Sequence, residues 1–346
     1  MGSDDISRHF EKQARACDRM GSPFTAQLCR LLPDLLDTAT ATGRRVREWP
    51  GNPSEDALAL RLCGGLHALV LSGEDPRLAA AYPPHLVSRE ALREALGGAI
   101  AVHDEQLCRT LDSAPQTNEI ARSGMLLPGF LAIAREAGLP LDLHEIGSSA
   151  GLNLLFDRFH YLYADTEWGD QASPVRLAPQ IRGRVPALGG ALDIVGRKGS
   201  DIAPIEIARP EERLRLASYI WADQTERLQR LTAAIGLAAS EPFAIDRVDA
   251  ADFVGTALAG RRPDAMFVLF HSIMWQYLPQ VTRGRIEQAL ADAGRDGGAP
   301  IAWLRMEPVT AQDPYATLRL TLWPGGITRD LARCDFHGRW IEWIAG

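Results

Sequence analysis

The run Glu145-Ile-Gly-Ser-Ser-Ala-Gly151 carries the strongest chemical signal in the sequence. Gly147 and Gly151 let backbone N–H groups approach a ligand closely, because no Cβ stands in the way. The acid just ahead of them, Glu145, can accept hydrogen bonds from a ligand hydroxyl or amine, with Ser148 and Asn153 beside the turn. Ser149 lies between the two glycines and is a candidate nucleophile if a base lies within reach. Further acids stand at Asp201, in Gly199-Ser-Asp201, and at Asp249 before Ala250. His271 follows an apolar run and is the candidate base or orienter for an oxygen or nitrogen nucleophile. Asn118, Glu119 and Arg122 could form a polar wall over a pocket, with Trp221, Gln224, Trp275 and Tyr277 as amide and aromatic lining. The five cysteines are widely spaced and never form a C-x-x-C pair, so neither a zinc site nor a disulfide framework is expected.

These groups need a scaffold, and the hydrophobic pattern supplies one. From Asp4 to about Gly138 the periodicity is helical: Leu92, Leu96, Ile100, His103, Leu107 and Leu111 recur at steps of three and four. Ala57 to Leu71 reads as a buried helix, and Thr117 or Asn118 as the cap of a helix that Pro128 should kink. At Pro140 the character changes. Leu141 to Ile146 reads as a strand that runs through the glycine turn into a helix, Leu152 to Phe159. After a Gly- and Pro-rich insertion, Asp165 to Gly190, a strand is expected from Leu192 to Val195 and a long helix from Pro210, with a stripe from Leu214 to Ile235. Phe243 to Val248, Met266 to Phe270 and Ile301 to Met306 look like buried strands, with a helix at Thr282 to Ala293. Alternation of strand and helix implies a doubly wound, mostly parallel α/β sheet. Thr317 to Leu322 and Arg339 to Ile344 alternate strictly, as antiparallel edge strands do. The domains expected are therefore an α-helical one over 1–138 and an α/β one over 139–346.

With the turn and the strand order in view, the part from 141 to 346 resembles the class I S-adenosylmethionine-dependent methyltransferases, whose first strand ends in an acidic-x-Gly-x-x-x-Gly turn. The resemblance implies a Rossmann-like fold and S-adenosylmethionine as cofactor. Glu145, Gly147 and Gly151 would hold its methionine end, Asp201 the ribose hydroxyls, and Asp249 with Ala250 the adenine. The stretch between the first turn and the second acid is longer than that family's usual one, which leaves Asp165 as a rival to Asp201. His271 falls after the fourth strand, where that fold presents reacting groups to a small-molecule acceptor, and the helical domain would form the lid. Nearly the whole chain also resembles an uncharacterised bacterial family. The shared strings are Gln116-Thr-Asn-Glu119, Trp221-Ala-Asp-Gln224, His271-Ser272 with Trp275-Gln-Tyr277, Trp323-Pro-Gly-Gly326 and His337-Gly338.

Other readings compete. The run Gly147 to Gly151 also spells G-x-S-x-G, which would make Ser149 the nucleophile of a serine hydrolase with His337 as late base and Asp264 or Asp313 as the acid. In that fold several strands precede the nucleophile, whereas everything upstream here reads as helix. A nicotinamide-binding turn would need glycine at Ser149 and Gly or Ala at Leu152. A protein that binds a nucleotide or cofactor without turnover fits the same residues. Each group has a plainer role too. Asp201 and Asp249 can cap the following segment. His103 and His271 can be bonded core histidines, and the aromatics can be core.

The 346 residues are 46% hydrophobic and 23% charged, the composition of a globular protein long enough for about two domains. A net charge of −7, from 44 acidic against 37 basic residues, creates no global positive field, so neither nucleic acid nor membrane is an expected partner. Only Lys12 and Lys198 are lysines. The polar start lacks an apolar leader and Ala265 to Phe270 is far short of a span, so a cytoplasmic location is expected.

Overall fold

The computed structural model describes residues 3–241, 243–310 and 312–345. The chain divides into two compact units, Met1–Thr117 with Glu206–Gln229, and Asn118–Ile205 with Arg230–Gly346. This differs from a single boundary at 138: the helix Ser123–Ala137 belongs with the sheet, and the segment Glu206–Gln229 belongs with the N-terminal helices.

The first unit is helical. Its helices Pro23–Leu35, Leu58–Ser72 and Arg89–Val102 contribute Leu28, Leu31, Leu32, Leu62, Leu66, Leu92, Leu96 and Ile100 to one buried core. The stripe through His103 is carried by two helices, Arg89–Val102 and Asp104–Thr110, with His103 at the break and its Nε2 3.4 Å from Asp75. The long helix expected from Pro210 is likewise two, Pro210–Ser218 and Thr225–Ala238. The break has a structural use. Asp223, inside it, accepts from the Phe24 N–H at 2.9 Å and from the Ser22 hydroxyl, and so caps the helix Pro23–Leu35.

The second unit holds strands β1 (Leu141–Ile146), β2 (His160–Tyr163), β3 (Thr166–Trp168), β4 (Arg176–Leu177), β5 (Gln180–Gly183), β6 (Ile194–Asp201), β7 (Ala244–Arg247), β8 (Met266–Ser272), β9 (Ile301–Glu307), β10 (Ala316–Trp323), β11 (Ile327–Cys334) and β12 (Trp340–Trp343). Nine form one sheet in the order β5-β12-β11-β10-β9-β8-β1-β6-β7, and β3-β2-β4 form a small second sheet. The five strands β7, β6, β1, β8 and β9 are mutually parallel. Every residue of β8 is buried, as expected for the middle of a parallel sheet covered on both faces. Counted along the chain these five lie in the order 3-2-1-4-5, so the winding reverses between β1 and β8, and the carboxyl ends there are where such sheets commonly bind ligands.

The tail departs from expectation. β10 and β12 are antiparallel to β11, yet neither is an edge, because β10 also pairs with β9 and β12 with β5. β11 has no strand-like alternation, since a register shift opposite Leu318 and Arg319 interrupts the pleat and leaves Leu331 and Ala332 both buried. The segment Leu152–Arg158 is a 3₁₀ helix, starting from Gly151 in the left-handed region and broken at Leu155. The helix Ser123–Ala137 starts from Arg122 without a side-chain cap; Glu119 caps the 3₁₀ turn Ile120–Arg122 ahead of it, accepting from the Ala121 N–H at 3.2 Å, and neither Thr117 nor Asn118 serves there.

Candidate functional site

At or just beyond the carboxyl ends of β1, β6, β7, β8 and β9 stand Glu145, Asp201, Asp249, Ser272 and Glu307. Glu145 is 3% exposed and lies in register between Gly199 of β6 and Phe270 of β8. Its Oε2 is buried with no hydrogen-bond partner. Burial, and then the nearby charge of Asp201, push its carboxyl well above the usual carboxylate range, with Arg122 opposing them.

The turn that follows is left-handed at Gly147 (φ +65°), Ser149 (φ +55°) and Gly151 (φ +71°). Four of its amides are taken by the protein itself. Ser148 N–H donates to Ser200 O at 3.0 Å and Gly151 N–H to Ser148 O at 2.7 Å. Ser149 N–H donates to Asp201 Oδ2 and Leu152 N–H to Asn118 Oδ1, each at 2.9 Å. A phosphate cradle needs such donors turned outward, so these four amides do not form one. The glycines also serve packing. A Cβ on Gly147 would stand 2.8 Å from Met274 Cγ, and one on Gly151 2.5 Å from Phe243 Cε2.

Asp201 ends the second parallel strand and its Oδ1 accepts from Ala203 N–H at 2.9 Å. Its rival Asp165 is exposed in the turn between β2 and β3. Asp249 caps the helix Ala250–Ala259, accepting from Ala251 N–H at 2.9 Å, with Ala250 buried behind it. Asn153, buried, accepts from the Ser123 hydroxyl at 2.8 Å. Arg122 donates to Phe336 O at 3.0 Å and Ser272 O at 3.2 Å, tying the β11–β12 turn to the end of β8. Thus Asn118, Arg122, Glu145, Asn153 and Asp201 gather at the turn from three segments brought together by the fold. Replacing Asn118 with Ala should destabilise the protein by about 1–3 kcal/mol, because it strands the Leu152 N–H; urea denaturation of N118A beside N118D, which keeps an acceptor, checks this.

Other expected residues fall elsewhere. His271 follows Phe270 on β8, so its side chain takes the face opposite Glu145. It is fully buried, bonds through Nδ1 to Glu307 Oε1 at 2.7 Å and stacks on Trp275 with ring centres 5.1 Å apart. Tyr277 is 76% exposed. Trp221 packs on the core of the helical unit, and Gln224 accepts from the Arg227 guanidinium. Ser149 Oγ has no hydrogen-bond partner, Asp264 is engaged by Arg262, and Asp313 accepts from the Val309 and Thr310 amides. The geometry therefore assembles no Ser-His-acid triad at Ser149. Glu307 is the residue that sequence reasoning missed. It stands one position past the strand read at Ile301 to Met306, and an acid at that strand end was the available signal.

Fold and site define a mixed α/β protein with acids gathered at the switch point of a largely parallel sheet. The chain belongs to the family described as "Uncharacterized protein conserved in bacteria (DUF2332)", which it matches over residues 7–343. No curated protein and no solved structure matches it. Among the described residues no helix is long and apolar enough to cross a membrane, and no group of three or more His, Cys, Asp or Glu is placed to hold a metal ion.

Proposed function

We propose that this protein is an S-adenosylmethionine-dependent methyltransferase of Rossmann-like type, acting on a small-molecule acceptor. The observation that carries the reading is the unpartnered Oε2 of buried Glu145 beside a turn in which the Ser148, Ser149, Gly151 and Leu152 amides are occupied. Such a site asks for a ligand rich in hydrogen-bond donors. An α-amino group and two ribose hydroxyls meet that demand. Glu145 would take the amino group, and Asp201, each of whose oxygens keeps a lone pair beyond its backbone bond, the ribose. When bound, the cofactor supplies a methyl group on a sulfonium, already activated for transfer. The chain's own part is to bind, orient and exclude water. Arg122, held by two carbonyls, limits the repulsion between Glu145 and Asp201.

Calorimetric titration with S-adenosylmethionine and S-adenosylhomocysteine tests the reading. Saturable binding is expected for the wild type, weakened roughly 10- to 100-fold in Glu145→Gln through loss of a charge-assisted hydrogen bond. Absence of binding at millimolar ligand would sink it. The full burial of His271 favours a second reading, cofactor binding without turnover, since it withdraws the base expected from the sequence. Methyl transfer to any acceptor in a metabolite extract would refute that alternative.

A further inference from the structure

The loop after β8 is held in an unusual way. One carboxylate oxygen, Glu307 Oε1, receives three donors: His271 Nδ1 at 2.7 Å, Met274 N–H at 3.0 Å and Trp275 N–H at 3.2 Å. Between His271 and Met274 the chain passes through Ile273 at φ +52°, a left-handed conformation that a β-branched residue adopts only when its surroundings impose it. The imposing groups are visible. Ile273 N–H bonds to Met306 O at 3.0 Å, and Trp275 stacks on His271 and meets Trp303 edge to face, its ring centre 5.3 Å from the latter. The product of this arrangement is the position of Met274, half-buried, with its side chain resting where a side chain of Gly147 would lie. Beyond it the loop has no buried residue from Trp275 to Tyr277.

We propose that Glu307 is a positioning residue, a latch that holds the 273–278 loop with Met274 closed over the Gly147 flank of the cofactor turn, and that ligand passes when this latch lets go. The ligand named here rests on the methyltransferase reading; the latch itself does not. A carboxylate suits the task because three donors converge on one oxygen, which a neutral amide satisfies less well. A strained Ile273 suits it too, since release of the latch also relieves the backbone.

Two measurements test the proposal. Amide hydrogen exchange in the unliganded protein should show the Met274 and Trp275 amides protected, and at least 10-fold faster exchange there in Glu307→Gln, with the β1 and β8 amides unchanged. Stopped-flow binding of S-adenosylhomocysteine should show association and dissociation both accelerated several-fold in Glu307→Gln and in Met274→Ala, with little change in Kd. A merely structural role for Glu307 would lower the melting temperature without raising the association rate. Unchanged exchange at Met274 and Trp275 overturns the latch, and unchanged association in both variants overturns the gate. If the wild type binds no S-adenosylhomocysteine, the methyltransferase reading falls and the exchange data still decide the latch.

Discussion

Glu145→Gln should make the protein more stable while weakening the binding proposed for it. The sign follows from the direction of the titration. In the unfolded chain this carboxyl titrates near 4.3, as ordinary glutamates do. In the fold, burial and Asp201 raise it well above that range. Between the two values the folded state binds more protons than the unfolded state, so stability falls as pH rises, by up to about 1.4 kcal/mol per pH unit from this group. Below the unfolded value both states hold the proton and the effect vanishes. Glutamine never ionises, so the variant lacks the decline. Urea midpoints of wild type and variant should therefore coincide near pH 4 and diverge as pH rises, the variant being more stable by about 1–3 kcal/mol at pH 7, the usual scale for an unsatisfied buried polar group. Parallel curves across that range would show that Glu145 ionises freely, and the donor-seeking site argued from it would be lost. The residue that destabilises the fold is the one proposed to bind, which is a common stability–function trade-off.

Gly338→Ala is expected to destabilise the sheet unit by about 2–5 kcal/mol, the sum of a left-handed residue that has gained a Cβ and of forced overpacking. Gly338 lies at φ +77°, and an added Cβ would stand 2.4 Å from the backbone carbon and oxygen of Ala121. Backbone atoms cannot rotate aside as a flexible side chain can. The contact presses the β11–β12 turn onto the segment carrying Arg122, so the variant should also loosen the Arg122 bonds to Phe336 and Ser272. Gly138→Ala is the control, because Gly138 has φ +60° and open space around its missing Cβ. It should lose only about 1–2 kcal/mol. Equal losses in the two variants, measured by urea denaturation, would show that the turn yields and that its packing on Ala121 sets nothing.

The parts of this fold that a reader of the sequence can see are those governed by local pattern. β8 and β9 announce themselves as apolar runs bounded by turns, and β1 by its passage into a glycine turn. β11 hides because its bulge breaks the alternation, and the helix break before Thr225 hides because its cause, Asp223 capping a helix some 200 residues away, is not local. At the site the acids are legible, since Asp and Glu after strands stand out. What they do is less so. Asp249 is a cap, Asp201 ties down the turn, and Glu145, like Glu307, keeps a buried oxygen without a hydrogen-bond partner. His271 illustrates the same limit: period two puts it on the face opposite Glu145, but a strand buried on both faces shows no alternation from which to learn that. Gly338 was visible only as part of a family string, and the close approach to Ala121 supplies its physical reason.

The interleaving of the two units bears on how the chain must be made. Residues up to Thr117 leave the ribosome about 90 residues ahead of Glu206, roughly 5–20 s at ordinary elongation rates. During that interval the helix Pro23–Leu35 lacks its Asp223 cap. Gly64 lacks the Tyr219 ring that presses on it, and His67 lacks the Ser218 carbonyl 3.2 Å from its Nδ1. The nascent helical bundle therefore waits with an apolar flank uncovered until the strand-rich middle has been synthesised. A clone truncated near residue 138 would fix the protein permanently in that condition.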